Sequence, residues 1–169
     1  PFPFKSHPIG SKRYTTEFWV DMFNYARSLG LEPIPEFRPW GRVSYLKNMP
    51  GGKTFYVQDA SLKKNKAYYR NLDVANPEAV KVVMGLQKEI IDTLKPKSFH
   101  IAMDEIHWGN TVTSPAAKAK NWKPSDWFVT AINYSYELFK ANNIKLYIWG
   151  DMIDPGYNGK GIDMCGPEL

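Results

Sequence analysis

Three segments of the chain carry apolar residues at helical spacing, and a short apolar run follows each of them. The first segment spans residues 16–29, with Thr15 or Thr16 placed to cap its start and Gly30 suited to the left-handed residue after its end. Its apolar stripe is predicted to comprise Phe18, Met22, Ala26 and Leu29. Residues 31–37 are predicted to form a strand, in which the two prolines are tolerated only near a strand start or at a sheet edge.

The second helical segment has clear signals at both ends. Asn76 is the predicted cap, Pro77 takes the first helical position, and Pro96 stops the helix. The buried stripe is predicted to contain Val80, Val83, Met84, Ile90, Ile91 and Leu94. Residues 98–103 then follow as a buried strand.

The third helical segment starts at Ser125 and ends near Asn142 and Asn143. Its apolar positions are Trp127, Phe128, Ala131, Ile132, Leu138 and Phe139. Residues 144–149 form the strongest strand pattern in the chain. Helices alternating with strands across short connections indicate an α/β fold with parallel strands. Residues 38–75, rich in Pro and Gly, interrupt this rhythm and are predicted to be a long loop.

Composition narrows the class of protein. The chain has 169 residues, of which 43% are hydrophobic and 15% aromatic, so it can bury a hydrophobic core without disulfide bonds or bound metals to stabilise it. Its charged residues are well mixed with apolar ones, which excludes a disordered or collagen-like chain. No apolar run approaches the roughly 18 residues that span a bilayer. Because the chain begins with Pro1 and no signal segment follows, we expect a piece of a longer protein.

Charge and cysteine usage add little. The net charge is +5, and the densest basic run contains Lys63, Lys64, Lys66 and Arg70. A solvated surface explains such a run better than a nucleic-acid site, which needs charge clustered on one face. Cys165 is the single cysteine, so neither an internal disulfide nor a cysteine-based zinc site is expected. We expect no nucleic-acid or membrane partner, and the sequence leaves oligomeric state and compartment open.

Acidic residues follow each predicted strand. Glu36 ends the first, Asp104 and Glu105 follow the second, and Trp149 and Asp151 lie at the end of the third. Because parallel α/β folds place ligand sites at the carboxyl ends of their strands, these side chains are expected to converge. Carboxylates that bond hydroxyls, together with flat aromatic rings, suit a neutral polyhydroxylated ligand such as a sugar.

Residues 98–105, Ser-Phe-His-Ile-Ala-Met-Asp-Glu, resemble the His-x-Gly-Gly-Asp-Glu signature of family 20 glycoside hydrolases, the β-N-acetylhexosaminidases. Residues 71–78 resemble that family's Leu-Asp-Pro-x-Asn-Pro-Glu entry into the preceding helix. Residues 34–42 are similar to its Ile-Pro-Glu-Ile-Asp-x-Pro-Gly-His strand end, and residues 148–152 to its Trp-x-Asp strand. The four matches occur in the family's order and cover most of residues 16–152.

The resemblance implies a (β/α)8 TIM barrel that works by substrate-assisted retention, in which the substrate's own 2-acetamido oxygen attacks the anomeric carbon. Since a complete barrel needs about 250 residues, residues 1–169 are expected to be a partial catalytic domain with about three to four βα units, the last starting near Ile162. By the match, Asp104 orients the acetamido group and Glu105 is the general acid and then base. Strand alternation would point these neighbours to opposite sides.

The resemblance also implies substrate-binding residues. Trp149 matches a wall of the acetamido pocket, and Glu36 matches a position near the site floor. His100 is expected to contact the sugar or to support Asp104 as a buried histidine. Asp151 is expected to support the site or to cap the next segment, and Trp108 to line the subsite for the leaving group or to pack its loop. No cofactor and no metal are expected, because a carbohydrate substrate supplies the nucleophile and His100, Asp104 and His107 lack converging metal spacing.

Four positions depart from the family pattern. Ala102 and Met103 replace its two glycines, Arg38 replaces an Asp, and Arg42 replaces a His. An arginine near Glu105 favours the ionised carboxylate, which works against a general acid. Two alternatives therefore stay open: a non-catalytic carbohydrate-binding barrel, in which an arginine pairs with Glu105, and a different barrel glycosidase that uses Glu36 and Glu105 as its two carboxylates.

Overall fold

A computed structural model shows helices packed against parallel extended segments. The structure describes residues 2–7, 13–49, 51–56, 71–106 and 111–153. Within these ranges there are four α-helices, two short 3-10 helices and a sheet of two parallel strands. No helix in the described part of the chain is long and apolar enough to cross a membrane.

Helix α1 (Thr16–Ser28) starts and ends as the sequence predicts. The Thr15 side chain accepts a hydrogen bond from the Phe18 N–H, and Gly30 has a left-handed φ of 78°. The last turn is tied to the next helix, because the Arg27 guanidinium donates to the carbonyl of Leu94 at 2.9 Å.

The predicted apolar stripe of α1 is wrong. Phe18, Met22 and Leu29 are 38%, 50% and 59% exposed, whereas Phe23 is the buried residue and Trp19 is half-buried. The helix has apolar residues on more than one face, and its tertiary neighbours select the face that is buried. Those neighbours are the amino-terminal segment, whose Phe2 ring contacts Trp19, and the second helix.

Helix α2 (Pro77–Leu94) is capped by Asn76, whose side chain accepts from the N–H groups of Glu78 and Ala79. Its predicted stripe is confirmed, since all of its members are buried except Met84, which is partly buried. The helix ends at Lys95, which adopts a left-handed φ of 47°.

Helices α3 (Pro115–Ala119) and α4 (Pro124–Ala141) follow the second strand-like region. The predicted apolar face of α4 is confirmed and also contains a serine. The Ser135 hydroxyl donates to Gln87 Oε1 at 2.9 Å and accepts from Trp40 Nε1 at 3.0 Å. This buried chain of hydrogen bonds joins α4 to α2 and to the loop that follows residue 37.

The sheet brings three chain segments into parallel alignment. Strand β1 (Ser98–His100) pairs with β2 (Lys145–Tyr147) in parallel, with Ser98 opposite Lys145. Along the other edge of β1 runs the segment 31–37, through one parallel bridge between Glu36 and His100. Pro33 and Pro35 lack an N–H, which explains why this segment is not a regular strand. The carboxyl ends of all three segments lie at one edge.

Strand β1 is shorter than the predicted strand 98–103. Ala102 and Met103 have left-handed φ angles of 61° and 74°, so the chain leaves the sheet there. Contact with the β2 side continues a little further, since the Trp149 N–H donates to the Ala102 carbonyl at 2.8 Å.

The predicted loop 38–75 is partly structured. Its described part contains two 3-10 helices, Val43–Asn48 and Gly52–Thr54. Trp40, Val43 and Leu46 are completely buried, so the loop contributes to the core. Residues 57–70, with the basic run, lie outside the described residues, as do the positions of Ile162 and Cys165.

Candidate active site

The acids predicted to converge lie together at the carboxyl edge of the parallel segments. Arg38 contacts both Glu36 and Asp104, and the backbone of Glu105 contacts Asp151. These contacts join the ends of all three segments into one cluster of charges. Because each acid comes from a segment end, the arrangement follows directly from parallel alignment.

Asp104 is the least exposed of the acids in the ion pairs. Its Oδ2 accepts from Arg38 Nη1 at 2.8 Å, and Arg38 Nη2 lies 3.3 Å from Glu36 Oε1. The Asp104 side chain is 18% exposed. Its second oxygen, Oδ1, is buried and has no hydrogen-bond partner among the described residues. Since buried carboxylate oxygens normally accept hydrogen bonds, this atom is an acceptor that the described residues leave unused.

Glu105 is more open. Its side chain is 48% exposed, and its carboxylate forms an ion pair with Arg42. Its backbone N–H donates to Asp151 Oδ2 at 3.1 Å, and its φ is a left-handed 49°. Strand alternation is therefore the wrong reason for the separate directions of the two acids, because Asp104 and Glu105 lie in a turn beyond β1.

Packing fixes the short loop that presents both arginines. Trp40, between them in the chain, is completely buried. At Gly41 a Cβ atom would come within 2.5 Å of Ile106 Cδ1, so a larger residue would displace the buried side chain next to Glu105. The Tyr45 hydroxyl donates to the Arg38 carbonyl at 2.9 Å, and burial raises the pKa of Tyr45.

Tyr45 is a residue that the sequence did not single out. Its position in a predicted loop gave no signal that its hydroxyl supports Arg38. The aromatic content of the loop was the available hint, because buried tyrosines usually find a hydrogen-bond partner.

His100 is held as a neutral ring. Its Nδ1 accepts the Ala102 N–H at 3.0 Å, which assigns the proton of the neutral imidazole to Nε2. Loss of solvation lowers the pKa of His100, the positive charge of Arg38 acts in the same direction, and Glu36 and Asp104 oppose both. Its hydrogen bond runs to the backbone of Ala102 and not to Asp104.

Trp149 lies at the mouth of the site, which is the carboxyl edge of the parallel segments, and much of its side chain is in solvent. It is 49% exposed, so it is not an ordinary core aromatic. Its ring centroid lies 4.8 Å from that of His100, with the planes tilted by 56°. An indole supported in this way leaves an apolar surface open at the carboxyl edge of the parallel segments.

Ala102 and Met103, the replacements of the family glycines, occupy left-handed backbone. This conformation suits glycine and costs other residues roughly 1–2 kcal/mol. Both side chains are buried, at 1% and 2% exposure, and Met103 belongs to the hydrophobic core. The bulk of Met103 is therefore accommodated by core packing.

Asp151 lies one residue beyond Gly150, after β2. Loss of solvation raises the pKa of Asp151, and the nearby negative charge of Asp104 raises it further. Trp108 and His107 lie outside the described residues. Within the ranges that the structure covers, no group of three or more His, Cys, Asp or Glu side chains is arranged to hold a metal ion.

Comparison with known proteins identifies one family over most of the chain. The model of the family described as glycosyl hydrolase family 20, catalytic domain, matches residues 4–164. A lacto-N-biosidase of Bifidobacterium bifidum is 29% identical over 150 residues, which are 83% of this chain and 13% of that protein.

Solved structures agree in fold. A chitobiase of Flavobacterium johnsoniae has a TM-score of 0.66 and 20% identity, over 88% of this chain and 24% of that chain. An exo-β-N-acetylglucosaminidase of Vibrio harveyi, solved with N-acetylglucosamine, has a TM-score of 0.62 and 18% identity, over 81% of this chain and 22% of that one. The chain therefore has the fold of part of these proteins and spans about a quarter or less of the length of each.

Proposed function

Because this chain belongs to glycosyl hydrolase family 20, we propose that it is part of a glycosidase that removes terminal N-acetylhexosamine residues by substrate-assisted retaining hydrolysis. In this proposal residues 1–169 form part of the catalytic domain, and the three parallel segments are neighbouring strands of a (β/α)8 barrel. The carbohydrate is both substrate and source of the nucleophile.

The observation that carries the proposal is the state of Asp104. One oxygen is held by Arg38, while Oδ1 is buried without a hydrogen-bond partner among the described residues. An acetamido N–H is a neutral donor that suits this acceptor. Binding there would orient the acetamido carbonyl oxygen toward the anomeric carbon and stabilise the positive charge that develops on its nitrogen.

Glu105 is the proposed acid and base. Its half-exposed carboxylate has the access needed to protonate the glycosidic oxygen as the acetamido oxygen forms its bond to the anomeric carbon. The leaving group departs with that proton, and the product of attack is a cyclic oxazolinium ion. Glu105 then accepts a proton from water, which opens the ring and restores the acetamido group with retained configuration.

The other residues are proposed to bind the sugar. Trp149 supplies an apolar wall, and His100, whose Nε2 carries the proton, is a donor for a hydroxyl. Glu36 keeps Arg38 in place at the floor of the site, and Asp151 supports the mouth from the β2 side. Trp108 remains a proposed contact to the leaving group.

The test uses the full-length protein with aryl N-acetyl-β-glucosaminides. Glu105→Gln should lower kcat by about 100-fold or more, and Asp104→Asn should do likewise, with unchanged circular dichroism. An aryl β-glucoside without the acetamido group should not be cleaved, since it carries no nucleophile. Cleavage of that glucoside would favour the two-carboxylate alternative with Glu36 and Glu105.

A second candidate function is supported by the ion pairs. Both acids contact arginines, and pairing of Arg42 with Glu105 is the contact expected of a non-catalytic carbohydrate-binding barrel. That function requires binding of N-acetylhexosamines, measured by calorimetry, with no turnover of any aryl glycoside. Turnover that depends on Glu105 excludes it.

A further inference from the structure

We propose that Asp151 is a positioning residue for Glu105: its carboxylate holds the Glu105 peptide N–H and thereby sets the direction of the Glu105 side chain. This inference rests on the proposed function of Glu105 as the acid. It gives Asp151 a role through the protein backbone instead of through the sugar.

The first support is the hydrogen bond itself. Asp151 Oδ2 accepts from the Glu105 N–H at 3.1 Å, across 46 residues of sequence. Hydrogen bonds between a carboxylate and a backbone N–H are charge-assisted and stronger than neutral ones. The bond joins the turn after β1 to the turn after β2, so it fixes one segment end against the other.

The second support is the conformation that the bond holds. Glu105 has a left-handed φ of 49°, a region that disfavours residues other than glycine. Its side chain is 48% exposed, so the ion pair with Arg42 and the backbone conformation restrain it more than packing does. The backbone at this residue therefore decides where the carboxylate starts, and Asp151 is the side chain that contacts that backbone.

The third support is where the Asp151 oxygens lie. Oδ2 is engaged by the Glu105 N–H, and Oδ1 is buried away from solvent. The oxygen that contacts the acid is therefore bound to its peptide group and not to its side chain. The neighbouring acid Asp104 differs, since it is held by a side chain and not by backbone.

Three variants of the full-length protein test the proposal. Asp151→Ala removes the acceptor, Asp151→Asn keeps an oxygen of the same shape, and Asp126→Ala is the matched control. Asp126 also accepts a backbone N–H, that of Lys123 at 2.8 Å, but lies at the start of α4. The control therefore loses an equivalent bond without touching the acid.

The kinetic readout is leaving-group dependence. An aryl glycoside with a very acidic phenol needs little proton donation, whereas one with a weakly acidic phenol needs Glu105. We expect Asp151→Ala to lower kcat by roughly tenfold or more for the weakly acidic phenol, by less than about threefold for the acidic one, and to leave KM nearly unchanged. Asp151→Asn should keep most of the activity, and Asp126→Ala should show no leaving-group dependence.

Amide hydrogen exchange gives a readout that does not need activity. The peptide containing Glu105 should exchange faster in Asp151→Ala than in the wild type or Asp151→Asn. Unchanged exchange overturns the proposal even if the wild type hydrolyses no glycoside, an outcome that would separately overturn the proposed function. In an active enzyme, an equal loss on both phenols, or a rise in KM in both Asp151 variants, also overturns it.

Discussion

The guanidinium of Arg42 forms an ion pair with the carboxylate of Glu105, the residue proposed to donate the proton. Arg42 itself adopts a left-handed φ of 54° at the start of a 3-10 helix, so its position is set by the loop and not by the acid alone. A cation in this place stabilises the ionised carboxylate. The pair therefore holds the proposed acid against the loop that carries Arg42.

Arg42→Gln is expected to raise kcat/KM by roughly 3- to 10-fold, because the guanidinium opposes proton donation by the neighbouring acid. The measurement is a pH–rate profile with an aryl N-acetyl-β-glucosaminide. Arg27→Gln is the control, because Arg27 bonds the carbonyls of Leu94 and Lys95 away from the mouth. An unchanged kcat/KM in Arg42→Gln would contradict the role given to the pair.

Ala102→Gly is expected to change the free energy of unfolding by no more than about 0.5 kcal/mol, because relief of the left-handed conformation offsets the lost methyl and the added chain entropy. The matched substitution is Ala131→Gly, at an equally buried position inside α4. There the same change should cost about 2 kcal/mol, since helix propensity and the methyl are both lost. Urea unfolding measures both, and equal losses would contradict strain at Ala102.

Ser135→Ala is expected to destabilise the protein by about 1–3 kcal/mol. Without the hydroxyl, the buried Trp40 Nε1 loses its acceptor and the buried Gln87 Oε1 loses its donor. Since Trp40 lies between the two arginines, the loop that carries them should also loosen. Ser125→Ala, in the first turn of the same helix, should lie within about 0.5 kcal/mol of wild type. Thermal unfolding and hydrogen exchange of residues 38–49 give the comparison, and a neutral Ser135→Ala would show that the chain of bonds is dispensable.

His100 is expected to make stability depend on pH below 6.5. Desolvation lowers the pKa of His100 in the folded protein from its usual 6.5, so between the two values the unfolded state binds more protons. Stability is therefore fully present above 6.5 and is lost as the pH falls toward the lowered folded value. The urea midpoint should drop more between pH 7.5 and 5.5 in the wild type than in His100→Gln. Equal drops would mean that His100 is not held neutral.

Helices were predictable from sequence because their signals are local. Asn76 and Pro77 start α2 through contacts within one turn, and the periodic apolar positions of α4 specify its buried face. The buried face of α1 was not predictable, since Phe18 and Trp19 are both large and apolar and only the packed neighbours distinguish them.

The candidate site was likewise predictable only in part. The clustering of the acids followed from parallel strand ends, a topological rule that needs no detail. The turn holding Asp104 and Glu105 was not predicted, because alanine and methionine rarely adopt positive φ, and the family's glycines at these two positions were the available hint. The hydrogen bond from Glu105 to Asp151 was equally hidden, since it connects turns 46 residues apart.

Position 41 tolerates substitution less well than the two arginine positions near it, 38 and 42. A side chain in place of Gly41 would meet the Cδ1 atom of Ile106, the residue after Glu105, so a substitution at 41 requires that buried side chain to move. The arginines on either side contact their partners through long side chains above a backbone that Trp40 anchors. Charge at the mouth can thus be exchanged one side chain at a time at positions 38 and 42, whereas a larger residue at position 41 requires the core around Ile106 to repack.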